Sequence, residues 1–114
     1  MGKYAIYSRD ELVGYSELES GDPPMGAAFG TFTPSNAYIM IQRECITNHA
    51  NQSALKLSVR TEAAVIIQCS GVSILDYSAE ADSAFIEVNV LGIPSALYEK
   101  LFPEQVIAYS RRFN

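Results

Sequence analysis

Glu19-Ser20-Gly21-Asp22-Pro23-Pro24-Met25-Gly26-Ala27-Ala28-Phe29-Gly30-Thr31-Phe32-Thr33-Pro34-Ser35-Asn36-Ala37-Tyr38 holds three of the five prolines and three of the seven glycines of a 114-residue chain. Pro23 and Pro24 fix φ, remove two backbone donors and push the preceding residues towards extended conformations. Asp22 to Gly26 therefore cannot continue a strand ladder and reads as a stiff turn. Phe29 to Phe32 can run as a short extended piece. Thr33-Pro34 then reads as a helix start, with a side-chain acceptor at the N-cap and proline at the first helical position.

Upstream, Tyr4 to Tyr7 and Leu12 to Tyr15 are β-branched and aromatic runs separated by Ser8-Arg9-Asp10-Glu11, which predicts an N-terminal hairpin. Gly14, inside the second run, marks a bulge or the close approach of another backbone. Downstream, Ala37, Tyr38, Ile41 and Cys45 recur at helical spacing, so a helix is expected from Pro34 to about Glu44 or Ile46. Thr47 to Ser53, with three amides and the single histidine, His49, reads as a loop.

Leu55, Leu57 and Val59 alternate with polar residues as a strand with one wet face does. Ala63 to Cys69 reads as a central strand. Val72 to Tyr77 and Ala84 to Leu91 read as a hairpin about a polar turn at Ser78 to Ser83, with Gly71 as a kink. Pro94 and Pro103 each begin a helix, the second striped by Val106, Tyr109 and Phe113. The expected fold is a single α+β domain over residues 1–114, with an antiparallel sheet of about five or six strands, helices packed on one face and two helices at the C-terminus.

Composition restricts function. Thirteen acidic against eight basic residues give a net charge of −5, which argues against a nucleic-acid surface, since that requires a clustered basic face. No apolar run approaches the length of a membrane helix, and the first residues lack a signal-peptide core, so a cytoplasmic location and no membrane partner are expected. Cys45 and Cys69 lie among apolar neighbours and read as buried, unpaired thiols.

His49 stands in no nucleophile motif, and the scarcity of His and Cys leaves a zinc site short of ligands, so no metal, cofactor or catalytic group is expected. The glycines of residues 21–30 carry neither Gly-Lys-Ser/Thr nor Gly-x-Gly-x-x-Gly, and two prolines remove amides that would cradle phosphate.

Charge is concentrated at the start of the chain. From Met1 to Thr33, Lys3 and Arg9 face Asp10, Glu11, Glu17, Glu19 and Asp22, a net of −3. Alternation places Glu17 and Glu19 on one strand face, where a charged edge guards against unwanted pairing or meets a basic partner. Gly14-Tyr15-Ser16-Glu17-Leu18-Glu19-Ser20-Gly21-Asp22-Pro23-Pro24-Met25-Gly26, followed by Phe32-x-Pro34, resembles a segment of small, mostly uncharacterised bacterial proteins. That resemblance covers the first third of the chain, with Gly-Asp-Pro-Pro-Met-Gly its most specific part, and implies a small bacterial cytoplasmic protein. In size and charge the chain is also similar to immunity proteins that neutralise toxins.

The expectation is a non-enzymatic protein-binding or inhibitory module, such as an immunity protein against a basic toxin, docking through Glu17, Glu19, Asp22 and Met25. The alternatives are a small-molecule-binding protein or minor enzyme with its site around residues 17–30, and a homo-oligomer subunit whose strands pair across a two-fold axis.

Overall fold

A computed structural model describes residues 3–80 and 84–113. Seven strands, β1 (Tyr4–Ser8), β2 (Glu11–Ser16), β3 (Ser20–Asp22), β4 (Ala27–Pro34), β5 (Leu57–Arg60), β6 (Gly71–Asp76) and β7 (Ile86–Leu91), form a curled antiparallel sheet. Its order is β5-β1-β2-β4-β7-β6, with β3 pairing β4. Three α-helices follow the expected distribution: α1 (Gln42–Thr47) between strand groups, then α2 (Ser95–Leu101) and α3 (Pro103–Arg112) at the C-terminus.

The α+β architecture and both predicted hairpins, β1–β2 and β6–β7, are present. Residues 81–83 of the expected turn after β6 lie outside the described residues.

The core is one cluster, in which Ile6, Val13, Val59, Ile74, Val88 and Val90 of the sheet meet Tyr38, Cys45, Tyr98 and Phe102 from the helical segments. The Phe102 ring, just past the end of α2, packs at a tilt between Tyr4 of β1 (ring centroids 5.6 Å apart) and Tyr98 of α2 (5.1 Å), so the end of α2 docks on the sheet through two aromatic side chains. Gly14 serves both roles its position suggested. The β1–β2 register shifts beside it, and a Cβ there would lie 2.5 Å from the Thr33 carbonyl and overlap the Phe32 ring.

The central organising strand is β4. Its first half pairs with β7 on one side and β3 on the other, and its last residues pair with β2. The expected helix start at Thr33-Pro34 is therefore displaced. Pro34 ends the strand opposite Gly14, the Ser35 N–H donates to the Val13 carbonyl (2.8 Å), and the Ser35 hydroxyl donates to the Leu12 carbonyl (2.7 Å). Long-range pairing with β2 outweighs the local cap signal. A turn of 3₁₀ helix over Asn36–Met40 begins only after Ser35, and α1 follows it.

Ala63 to Cys69 is not the expected central strand. Thr61 donates its N–H to the Val65 carbonyl (2.9 Å), Ala64 sits at φ 65°, and only an isolated bridge joins Arg60 to Ile66. The chain turns back along the outer side of β5, so Val65 and Ile66 are exposed while Ile67 is buried in the core and Cys69 packs partly against it. A run of consecutive apolar residues has no periodicity to distinguish a central strand from such an edge.

Candidate functional site

β2 and β3 behave as one strand broken at Glu17-Leu18-Glu19. Leu18 takes a left-handed φ of 46°, unusual for a branched side chain, because this turns its side chain into the core, where it is 2% exposed. The Ser16 hydroxyl accepts the Leu18 N–H at 3.0 Å and holds the kink. The same kink leaves Glu17 and Glu19 outside. Together with Tyr15, Thr31, Thr33 and Pro34 they line a groove of about 680 Å³.

Glu19 folds over Gly30, where a Cβ would collide with it, and its Oε2 accepts the Thr31 N–H at 2.9 Å. Partial burial opposes its ionisation, but the bond from Thr31 outweighs this and holds the carboxyl below its ordinary value. One function of Glu19 is thus to satisfy a strand amide left open by the break.

Asp22 and Met25 belong to a second groove, of about 490 Å³, between the Pro23–Met25 turn and α3. The turn is 3₁₀ and ends on Gly26 at φ 61°, with Gly26 N–H donating to the Pro23 carbonyl (3.0 Å) and Ile93 N–H to the Gly26 carbonyl (3.0 Å). A Cβ on Gly26 would lie 2.5 Å from the Ile93 carbonyl, so only glycine fits. The opposite wall is tied in place by Gln105, whose Nε2 donates to the Glu19 carbonyl at 2.7 Å, and by Tyr98, whose hydroxyl donates to the Ala27 carbonyl at 2.8 Å. Burial, and then the Asp22 charge, push the Tyr98 phenol up from its ordinary value.

The four residues singled out from sequence are thus divided in two pairs, Glu17 with Glu19 and Asp22 with Met25. The structure adds Tyr109, Arg112 and Phe113 of the C-terminal segment to the second pair. Tyr109 and Phe113 were legible with Val106 as a stripe at helical spacing, but a stripe reads equally well as core, and Phe113 is 66% exposed.

His49 lines a third groove, of about 440 Å³, with Lys56 and Ser70. Its ring meets Tyr77 edge-on at 5.0 Å, and its Nε2 has no hydrogen-bond partner. Among the described residues, no three His, Cys, Asp or Glu side chains converge as metal ligands would. No described helix is long and apolar enough to cross a membrane.

Cys45 is fully buried and Cys69 half-buried, and both are free. Burial, with a smaller push from Asp76 and Glu44 against a lowering bond with Tyr38, drives the Cys45 thiol up to about 11. Burial also raises Cys69. The thiolate is the reactive form, so in native protein Cys69 should react slowly with a disulfide reagent and Cys45 only on unfolding. Mass spectrometry of the labelled sites checks this, and rapid labelling of both would contradict the packing described.

No protein-family model, no curated protein and no solved structure matches this chain.

Proposed function

We infer that this chain is a non-enzymatic protein-binding module whose docking surface is the acidic break at Glu17 to Glu19 together with the Pro23–Met25 turn. In its specific form it is an inhibitor of the immunity type, binding a basic protein in the bacterial cytoplasm. The observation that carries the reading is Met25, which stands 69% exposed at a turn held by two backbone hydrogen bonds and two proline rings. An exposed thioether is a versatile apolar anchor, and a turn already rigid in the free protein loses little entropy on docking. Glu17 and Asp22, both exposed, supply a field that speeds encounter with a basic surface.

The test is a photo-crosslinking amino acid placed at Met25 and, as a control, at the equally exposed Ile39, in cells of the native host. A protein adduct is expected at position 25 and not at 39. With that partner purified, Glu17→Lys and Asp22→Lys should slow association at low salt and converge with wild type at high salt. Adducts at 39 alone, or none at either position, would overturn the reading.

A further inference from the structure

The two C-terminal helices are held very differently. α2 places Tyr98 in the core, packs Leu97 and Leu101 against it, and ends on the buried Phe102. α3 has no buried residue along its length. Gln105, Val106 and Tyr109 are half-buried, the other residues of the helix are exposed, and it is Val106 that packs against the core. Among the described residues, the side chains of α3 make one hydrogen bond to the rest of the fold, from Gln105 Nε2 to the Glu19 carbonyl at an exposed position. Elements with so few buried contacts open locally, well before the molecule unfolds as a whole.

A pivot separates the two helices. Phe102 closes α2, its N–H donating to the Tyr98 carbonyl at 2.8 Å, and its backbone at φ −129° and ψ 55° is not helical. Pro103 follows; it has no N–H to bond back across the junction and disfavours a helical conformation at the residue before it. The helical path therefore breaks at a residue anchored in the core, and α3 can leave without disturbing α2. Once undocked, a helix of 10 residues is marginal in water, so opening includes unwinding.

What α3 covers is the surface assigned above to the partner. Gln105 lies over β3, where a Cβ on Gly21 would come 3.4 Å from its Cγ. Gln105, Tyr109 and Arg112 line the groove that also contains Pro23, Pro24 and Met25. An occupant of that groove touches the turn and α3 together. It gains contacts in the docked state that the open state lacks, and so favours docking.

We propose that α3 is a detachable strap, pivoting at Phe102, that opens while the sheet and α2 stay folded, and that the protein partner holds it down by filling the groove beside Met25. The proposal rests on the protein-binding reading above and names how that site is regulated.

Opening is tested on the free protein by native-state hydrogen exchange in low urea. The amides of residues 107–112 should exchange roughly a hundredfold or more faster than those of Val88 and Val90, with a shallower dependence on urea. Those two valines belong to β7, which is paired on both sides. Val106→Pro removes the N–H that bonds to the Phe102 carbonyl at 3.3 Å and breaks the helix at its first turn. It should abolish protection throughout α3, leave one cooperative urea transition for the remaining fold, and reduce the Met25 crosslink to the partner about fivefold or more. Val106 does not line the Met25 groove, so that reduction reports the strap and not a lost contact. Exchange of α3 together with the core and with the same urea dependence, a Val106→Pro protein that fails to fold, or a Met25 adduct undiminished by Val106→Pro would each overturn the proposal. Any of these alongside a Met25 adduct in wild type leaves the protein-binding reading standing, whereas absence of that adduct removes the reading and with it the partner's hold on the strap.

Discussion

Asp76→Ala lowers the unfolding free energy at neutral pH by about 3 kcal/mol or more. Asp76 is 2% exposed, and its carboxylate accepts hydrogen bonds from the Tyr38 hydroxyl (2.5 Å), the Ser78 N–H (2.7 Å) and, more weakly, the Gln42 amide (3.4 Å). Truncation leaves the buried Tyr38 hydroxyl without its acceptor and opens a space beside Cys45. Burial alone would push the Asp76 carboxyl up, but the bonds from Ser78 and Tyr38 prevail and hold it below the ordinary value. The Tyr38 phenol is shifted far upward by burial and by the same bond, so it remains the donor.

A carboxyl with a depressed folded value contributes stability that is fully present above the ordinary aspartate range, around pH 4. That contribution is lost as pH falls through the depressed value. Urea unfolding of wild type and Asp76→Asn as a function of pH checks the sign: the gap between them should be widest near neutrality and close in acid. A gap independent of pH would show that the charge is not what the network stabilises. Tyr38→Phe removes one charge-assisted bond and should cost about 1.5 to 3 kcal/mol.

Gln52→Ala is expected to cost about 2 to 4 kcal/mol, because two buried backbone groups lose their partners at once. The Gln52 side chain, 6% exposed, accepts the Ile74 N–H at 2.8 Å and donates to the Ile74 carbonyl at 2.7 Å, while also donating to the Asn48 carbonyl at 3.1 Å. One amide side chain thus replaces a neighbouring strand along β6, an edge strand of the sheet. Hydrogen exchange is the direct measurement: the Ile74 amide should move from the slowest class to a fast one while the β1–β2 amides change only with global stability. Gln52→Glu keeps the acceptor but turns a carboxylate towards two carbonyl oxygens. It should therefore be the more damaging change at neutral pH, and should recover in part when the new carboxyl is protonated. An unchanged exchange rate at Ile74 would refute the assigned role.

Both predictions concern residues whose importance sequence pattern conceals. Asp76 follows Val72, Ile74 and Leu75 and looks like the polar end of a strand. Gln52 stands among the amides of a stretch correctly read as a loop, where side chains are usually solvated. Each is buried because elements more than 20 residues away supply its partners. The proposed docking surface divides in the same way. Met25 and its stiff turn were evident from Pro23, Pro24 and Gly26, whereas the facing wall of Tyr109, Arg112 and Phe113 comes from over 80 residues downstream. Nothing in local spacing distinguishes a stripe that packs from one that leaves its ends in solvent.

Sequence alone determined what depends on short-range sterics and alternation. It specified the N-terminal hairpin with its glycine at the point of close approach, the rigid turn after Asp22, the β6–β7 hairpin and the two proline-initiated helices that close an α+β domain. Tertiary structure decided what depends on competition between distant groups. The pull of β2 kept Thr33-Pro34 in a strand when its local chemistry favoured a helix cap. The edge of β5 captured Ala63 to Cys69 on the outside of the sheet, and the core demanded Leu18 strongly enough to force the break that presents Glu17 and Glu19. In each case a local preference worth about 1 kcal/mol met long-range pairing or burial worth more, roughly 1.5 to 3 kcal/mol for one large apolar side chain.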